Sequence, residues 1–138
     1  MRTYIGKYRL ANPDHPFEGG LAYVWEAWDE KLDRRVAIKE PIGRDPEFIK
    51  AFESEARRTA NFDDENIVTI FEFDTEDNHP YLVMEFIPDS VERLLTKEGR
   101  ISWQRAASYG LQVCDALGYS HNHENKVVHR DIKPANLL

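Results

Sequence analysis

Short runs of apolar and β-branched residues, separated by polar turns, dominate the first 87 residues and predict a sheet. Alternation at period two in the run 36–39 places Ala37 and Lys39 on the same face of a strand. The dipeptide Asp77-Asn78 is predicted to be the tip of a hairpin between the last two strands. The predicted strands cover residues 8–10, 21–28, 36–39, 67–74 and 81–85.

A helix is predicted to begin at Asp45, because an Asp caps backbone N–H groups and the following Pro46 suits a first turn. Its apolar stripe contains Glu55, and a carboxylate that points inwards needs a cation, for which Lys39 is the candidate. A surface Glu55 paired with Arg58 or Thr59 is the plain alternative. The stripe, at spacings of three and four, comprises Phe48, Phe52, Glu55, Thr59 and Phe62.

Two further helices are predicted, a short one over residues 90–95 and a longer one capped by Ser102. Cys114 lies in the apolar stripe of the longer helix and is interpreted as a small packed hydrophobe rather than a reactive thiol. His121 and His123 diverge on a helix, so they are interpreted as structural or solvent-facing residues and not as metal ligands. The stripe comprises Trp103, Ala107, Gly110 or Leu111, Cys114, Leu117 and His121.

Composition narrows the class of protein. A chain of 138 residues with 41% hydrophobic and 31% charged residues is typical of a soluble globular domain. The formal charge of −7 disfavours nucleic acid as a partner, and no apolar run approaches the roughly 20 residues of a membrane span. The single cysteine excludes an internal disulfide and predicts a reducing, cytoplasmic location.

The candidate chemistry lies in the polar segment His129-Arg130-Asp131-Ile132-Lys133-Pro134-Ala135-Asn136. It follows the apolar run 126–128, which predicts a loop leaving a short strand, and Pro134 excludes a helix through its centre. The Asp131 carboxylate can orient a hydroxyl and accept its proton, and the Asn136 amide oxygen suits a hard cation such as Mg²⁺. A surface loop with an Asp turn is the alternative interpretation.

This segment resembles the catalytic loop of eukaryotic-type (Hanks-type) serine/threonine protein kinases, which is His-Arg-Asp, four residues and Asn. The run Val-Ala-Ile-Lys at 36–39 matches a second motif of that family. A lysine two residues after Asp131, here Lys133, is a feature in which the chain resembles the serine/threonine branch of the family. Arg130 argues against a small-molecule phosphotransferase. The resemblance implies an α+β, protein-kinase-like fold, with an antiparallel N-lobe sheet and one helix, and then the first C-lobe helices up to the catalytic loop.

The family's glycine-rich loop, Gly-x-Gly-x-x-Gly-x-Val, is present only in part. With Val24 as the anchor, the second glycine falls on Gly19, beside Gly20, whereas Phe17 and Ala22 replace the first and third. Glycine lets backbone N–H groups approach phosphate closely. We therefore expect a phosphate-covering loop of altered shape.

The resemblance implies γ-phosphoryl transfer from MgATP to a serine or threonine of a protein substrate. By this resemblance Lys39, held by Glu55, would orient the α- and β-phosphates. Asp131 would align the substrate hydroxyl, Lys133 would steady the transferred group, and Asn136 would bind Mg²⁺.

The resemblance also implies an adenine site. Met84 would control access to the pocket behind the ring, although Met84 as plain core filler is equally compatible with the pattern. The backbone of Glu85 and Ile87 would hydrogen-bond the adenine edge. The other residues expected around the nucleotide are Gly19, Gly20, Ala22, Val24, Ala37 and Leu138.

The same resemblance assigns residues 1–87 to the N-lobe and hinge, and residues 88–138 to an incomplete C-lobe. The chain contains no Asp-Phe-Gly, so we expect the metal site to lack a principal anionic ligand and the chain alone to be inactive. Exposed apolar C-lobe surface is expected and offers a site of association. A non-catalytic, pseudokinase-like nucleotide-binding or interaction module is the second hypothesis, supported by the altered glycine loop and Thr59.

Overall fold

The computed structural model describes residues 2–18 and 21–138, and the chain divides into two units. One unit contains the chain up to Asn61 together with Val68–Phe86, and the other contains Phe62–Ile67 and Ile87–Leu138. The predicted phosphate-loop residues Gly19 and Gly20 lie outside the described residues.

The first unit is built on an antiparallel sheet, which with the helices described below confirms the predicted α+β architecture. Its strands are β1 (Tyr4–Ile5), β2 (Tyr8–Leu10), β3 (Phe17–Glu18), β4 (Ala22–Asp29), β5 (Arg34–Pro41), β6 (Ile70–Glu76) and β7 (His79–Glu85). Over the described residues, the strand order is β1-β2-β4-β5-β7-β6, and β3 also pairs with β4. The long ladders β4–β5 and β5–β7 place the run 36–39 in the middle of the sheet.

One apolar cluster of the sheet is contributed by β1, β2, β4, β5 and β7. Its members alternate with residues of the opposite face, so Val36 and Ile38 are fully buried here, as the period-two pattern requires. Burial of each such side chain stabilises the fold by about 1.5–3 kcal/mol. The cluster comprises Ile5, Tyr8, Leu10, Ala27, Val36, Ile38, Tyr81 and Val83, with Trp25 packed against it.

Helix α1 (Pro46–Thr59) packs on the other face of the sheet. Its start confirms the predicted cap, because the Asp45 carboxylate accepts hydrogen bonds from the N–H groups of Glu47 and Phe48 at 2.9 and 3.1 Å. Phe52 and Ala56, four residues apart, form the buried stripe of the helix. Their partners on the sheet are Leu82, Ile70 and Phe73.

The hairpin between β6 and β7 turns at the predicted dipeptide. Asp77 and Asn78 have φ values of 50° and 59°, in the left-handed region that two-residue hairpin turns require. The ladder runs from Glu76 opposite His79 to Ile70 opposite Met84, with an irregularity near Ile70.

The second unit contains α2 (Val91–Glu98), α3 (Trp103–Asn122) and a 3₁₀ turn at Pro134–Asn136. The predicted Ser102 cap is confirmed, and Ser90 caps α2 in the same way, since each serine accepts a backbone hydrogen bond from the third residue that follows. No helix in the described part of the chain is long and apolar enough to span a membrane.

The predicted packing of the α3 stripe is wrong in its amino-terminal half. Trp103 and Leu111 are 75% and 68% exposed, and Cys114 is exposed as well. Burial begins nearer the end of the helix, where Ser120 is buried and Tyr119 packs against Phe62 with 5.6 Å between ring centroids. The exposed apolar side chains of α3 therefore form part of the surface of this unit.

The predicted short strand at 126–128 is also wrong. Lys126 has a φ of 43°, and its N–H group donates to the carbonyl of His123, so the chain turns there. The N–H group of Val127 donates to the carbonyl of Ser120 at 3.1 Å, which ties the segment to α3 rather than to a neighbouring strand.

Candidate active site

Lys39 and Glu55, predicted to pair, lie together in the structure. Lys39 Nζ is 3.6 Å from Glu55 Oε1, which is an ion-pair distance but longer than a good hydrogen bond. The Glu55 side chain is 62% exposed and that of Lys39 is 32% exposed. The prediction that the Glu55 carboxylate points inwards is therefore wrong. Phe52 and Ala56 occupy the buried stripe, and Glu55 consequently lies at its edge.

The lysine shares one sheet face with the residues expected around a nucleotide. Val24 lies directly opposite Lys39 in the β4–β5 ladder, and Ala37 lies directly opposite Met84 in the β5–β7 ladder. Ala22 lies two residues from Val24 and is therefore on this face too. Ala22 and Ala37 are buried, so this face is lined with small side chains beside a partly exposed ammonium group.

The residues expected at the adenine edge lie at the end of β7 and just after it. The N–H group of Glu85 donates to the carbonyl of Thr69 at 2.9 Å. Met84 is half-buried, and Ile87 is half-buried in the second unit. Leu138, also in the second unit, is 58% exposed.

In the second unit, Asp131, Lys133 and Asn136 are held together within one loop. Lys133 Nζ lies 2.9 Å from Asp131 Oδ2, and Asn136 Nδ2 donates to the same oxygen at 3.0 Å. Asn136 Nδ2 also donates to the Asp131 carbonyl at 2.8 Å. The 3₁₀ turn beginning at Pro134 brings Asn136 back over the aspartate, which explains the spacing of five between acid and amide.

The surroundings of Asp131 favour its charged form. Hydrogen bonds from Lys133 and Asn136 lower the pKa of Asp131 below its usual value. His129 is exposed, and its Nδ1 accepts a hydrogen bond from the Asp131 N–H group at 3.3 Å. The loop is anchored to α2 because the N–H group of Val91 donates to the Leu137 carbonyl at 2.8 Å.

The loop residues fit a magnesium ion in their donor chemistry. A carboxylate and an amide lie within hydrogen-bond distance of each other, and the oxygens of both are ligands that Mg²⁺ prefers. Across residues 2–18 and 21–138, no three His, Cys, Asp or Glu side chains gather into a metal-binding group. The loop therefore offers one carboxylate and one amide oxygen to a hard cation.

The contacts of Glu40 were not foreseen from the sequence. Glu40 directly follows Lys39 and is only 3% exposed, and its carboxylate is bound by Arg2 and Trp25. The only local signal was a charged residue inside a strand with buried neighbours, because its cation lies 38 residues away along the chain.

Comparison with known proteins yields consistent similarities. The family described as "Protein kinase domain" matches residues 18–138. The serine/threonine-protein kinase PrkC of Bacillus subtilis is 39% identical over 124 positions, which cover 87% of this chain and 19% of PrkC. A probable serine/threonine-protein kinase of Clostridium acetobutylicum is 36% identical, with the same coverages. PknA of Mycobacterium tuberculosis is 37% identical over 99% of this chain and 33% of PknA.

The chain thus spans between about a fifth and a third of the length of the curated relatives that it matches. All three are named as serine/threonine kinases, in agreement with the similarity inferred from the loop and the strand motif.

Proposed function

Because the chain belongs to the protein kinase domain family, we propose that it binds MgATP and carries residues for phosphoryl transfer to protein serine or threonine. One observation carries the proposal. Lys39 contacts Glu55 on the sheet face that also presents Val24 and Ala37. An ammonium group held by a carboxylate beside small apolar side chains suits the phosphates and base of a nucleotide.

The first unit would orient the nucleotide. Lys39 would contact the α- and β-phosphates as a point charge, and Glu55 would limit the conformations of its ammonium group. Val24 and Ala37 would pack on the adenine ring, with Met84 beside it. Ala22 and the glycine pair before it would cover the phosphates.

The terminal loop would act on the acceptor and the metal. The charged Asp131 would align the serine or threonine hydroxyl and accept its proton, and its lowered pKa keeps it ionised at neutral pH. Lys133 would steady the transferred phosphoryl group, and Asn136 would hold Mg²⁺ through its amide oxygen. MgATP supplies the phosphoryl group and the charge neutralisation of its transfer.

Residues 1–87 would form the N-lobe and hinge, and residues 88–138 would form the start of the C-lobe, with the Glu85 and Ile87 backbone at the adenine edge and Leu138 as its floor. The substrate would be a protein in the cytoplasm rather than a nucleic acid, given the net charge of −7.

We expect the 138 residues alone to bind nucleotide without a useful rate of transfer. Asn136 is neutral, and the described residues gather no cluster of three metal-binding side chains around it. A metal held by one carboxylate and one amide is incompletely neutralised and positioned. A pseudokinase-like binding module is the second candidate, and the replacement of two motif glycines by Phe17 and Ala22 favours it.

Titration of a fluorescent ATP analogue with and without Mg²⁺ tests the proposal. Lys39→Met is expected to weaken binding by about tenfold or more, since a charge-assisted contact is lost. Lys50→Met, which removes an exposed lysine of α1, is the matched control and is expected to leave binding unchanged.

A phosphotransfer assay on the same chain separates the two candidates. Nucleotide binding without transfer is the expected result. Transfer that disappears in Asp131→Asn would contradict the expected inactivity, and absence of nucleotide binding in the unmodified chain would contradict the ATP site and leave the interaction module.

A further inference from the structure

The buried carboxylate of Glu40 is held by three hydrogen bonds. Arg2 Nη1 donates to both of its oxygens at 2.9 and 3.1 Å, and Trp25 Nε1 donates at 3.0 Å. The glutamate side chain is 4% exposed, whereas the Arg2 side chain is 42% exposed. A carboxylate taken out of water in this way needs its donors, because an unpaired buried charge is strongly unfavourable.

These contacts fix the end of β5 next to Lys39. Glu40 follows Lys39 in the strand and projects from the opposite face. Two further hydrogen bonds hold the next residues, from His79 Nε2 to the Pro41 carbonyl at 3.0 Å and from the Ile42 N–H group to the Leu21 carbonyl at 3.0 Å.

Pro41, the last residue of β5, is fully buried, but packing is sparse immediately beyond it. A cavity of about 300 Å³ borders Pro41, Gly43 and Arg44. A Cβ added to Gly43 would meet no atom within 4 Å, and its φ of 83° is in the glycine-favoured region. Polar contacts, together with the buried Pro41, therefore hold the end of β5, and the chain leads from there to Asp45 and α1.

Lys39, near the end of β5, and Glu55, on α1, form an ion pair whose distance is weakly constrained. Lys39 Nζ is 3.6 Å from Glu55 Oε1 and 5.9 Å from the centre of the Phe52 ring. Since Glu55 is mostly exposed, the pair has little packing of its own to set its distance. The position of the backbone on both sides of the pair must set it instead.

We propose that Glu40, bound by Arg2 and Trp25, is a positioning residue that holds the end of β5 so that Lys39 stays paired with Glu55. This inference rests on the proposed role of Lys39 in nucleotide binding. Glu40 acts through the backbone of β5 and does not touch the nucleotide. The amino-terminal residue Arg2 thereby becomes part of the apparatus that orients the phosphate-binding lysine.

The test uses the whole chain with Glu40→Gln, which keeps the shape but removes the charge that Arg2 neutralises. Trp25→Phe, which removes only the indole donor, is the milder second variant. Glu30→Gln is the matched control, because it removes an ion pair of the same unit, with Arg9 at 2.8 Å, that involves neither Arg2 nor Glu40.

The first readout is the NMR shift of the Lys39 ε-methylene protons, which are next to the Nζ atom that lies 5.9 Å from the centre of the Phe52 ring. These protons are assigned by their absence in Lys39→Met. Both test variants are expected to move this shift towards that of a lysine in water. The second readout is the Kd of the fluorescent ATP analogue, expected to rise by about two- to fivefold, as loss of an exposed ion pair would give. The control is expected to change neither.

A purely structural role would lower the urea midpoint and leave both readouts unchanged in the folded chain, and that result would overturn the proposal. Failure of the proposed function has a different signature. If Lys39→Met binds the nucleotide as well as the unmodified chain does, the ATP site is wrong, while the ring-current shift still decides whether Glu40 positions Lys39.

Discussion

At the scale of single residues, the pKa of the Asp131 carboxyl is controlled by neighbours within its own loop. Lys133 donates to it most strongly and Asn136 next, and both lower its pKa. A carboxyl whose pKa is lower in the folded loop than in the unfolded chain stabilises the loop above its usual pKa. That stabilisation is lost as the pH falls through the lowered value, so the loop is expected to loosen only in acid.

Lys133→Met is therefore expected to raise the pKa of Asp131 towards its usual value, since the largest cause of the shift is removed. Asn136→Ala is expected to raise it less. An NMR titration of the Asp131 carboxyl carbon measures both, with Lys126→Met as a control that leaves the hydrogen-bond partners in place. An unchanged titration in Lys133→Met would show that the 2.9 Å contact does not persist in solution.

The pairing of Lys39 with Glu55 could be predicted from two local periods, two residues in the strand and 3.6 in the helix. The exposure of the Glu55 side chain could not be predicted from the sequence. Ala56 carries too little apolar surface to signal a buried position, yet it and Phe52 face the sheet and place Glu55 at the edge of the stripe.

At the scale of elements, the β6–β7 hairpin depends on two residues in a conformation that branched side chains avoid. Asn78→Val is expected to lower the free energy of unfolding by about 1–2 kcal/mol, because its φ of 59° crowds the branched Cβ. Asn78→Gly is expected to be tolerated, since glycine readily adopts positive φ. Urea unfolding measures both changes.

Asn61→Val is the control for that series, because Asn61 is exposed and is not among the residues with positive φ. A loss at Asn61→Val equal to that at Asn78→Val would mean that side-chain polarity, not backbone conformation, causes the effect.

Helix starts and this turn could be predicted because their signals lie within four residues, as with Asp45, Ser90 and Ser102. Neighbouring residues could not show whether the segment 126–128 forms a strand. A strand needs a partner that its own residues do not specify, and here the apolar pair Val127-Val128 follows a turn and has no ladder partner among the described residues.

At the scale of the whole molecule, contacts between distant residues decide what local patterns cannot. Two carboxylates bind residues near the start of the chain: Glu76 pairs with Arg2, and Glu72 pairs with Lys7 and accepts a hydrogen bond from the Tyr8 hydroxyl. Burial raises the pKa of Tyr8 to about 12, so its hydroxyl remains a donor at neutral pH. Separations of 64 to 74 residues hide these contacts from any periodicity in the sequence.

Two leucines of this chain differ strongly in solvent exposure. Leu82 is 7% exposed between the sheet and α1, whereas Leu111 on α3 is 68% exposed. Leu82→Ala is expected to lower the free energy of unfolding by about 2–5 kcal/mol, through lost burial and a cavity. Leu111→Ala is expected to change it by less than about 0.5 kcal/mol, since alanine suits an exposed helix.

Urea unfolding followed by circular dichroism measures these free energies, and binding of an apolar dye reports the surface itself. Dye binding is expected to fall in Leu111→Ala, because that side chain and Trp103 form part of the exposed face of α3. A large loss of stability in Leu111→Ala, together with sedimentation above the mass of one chain, would mean that a second copy covers this face in solution. The apolar stripe of α3 would then be an interface between copies and not free surface.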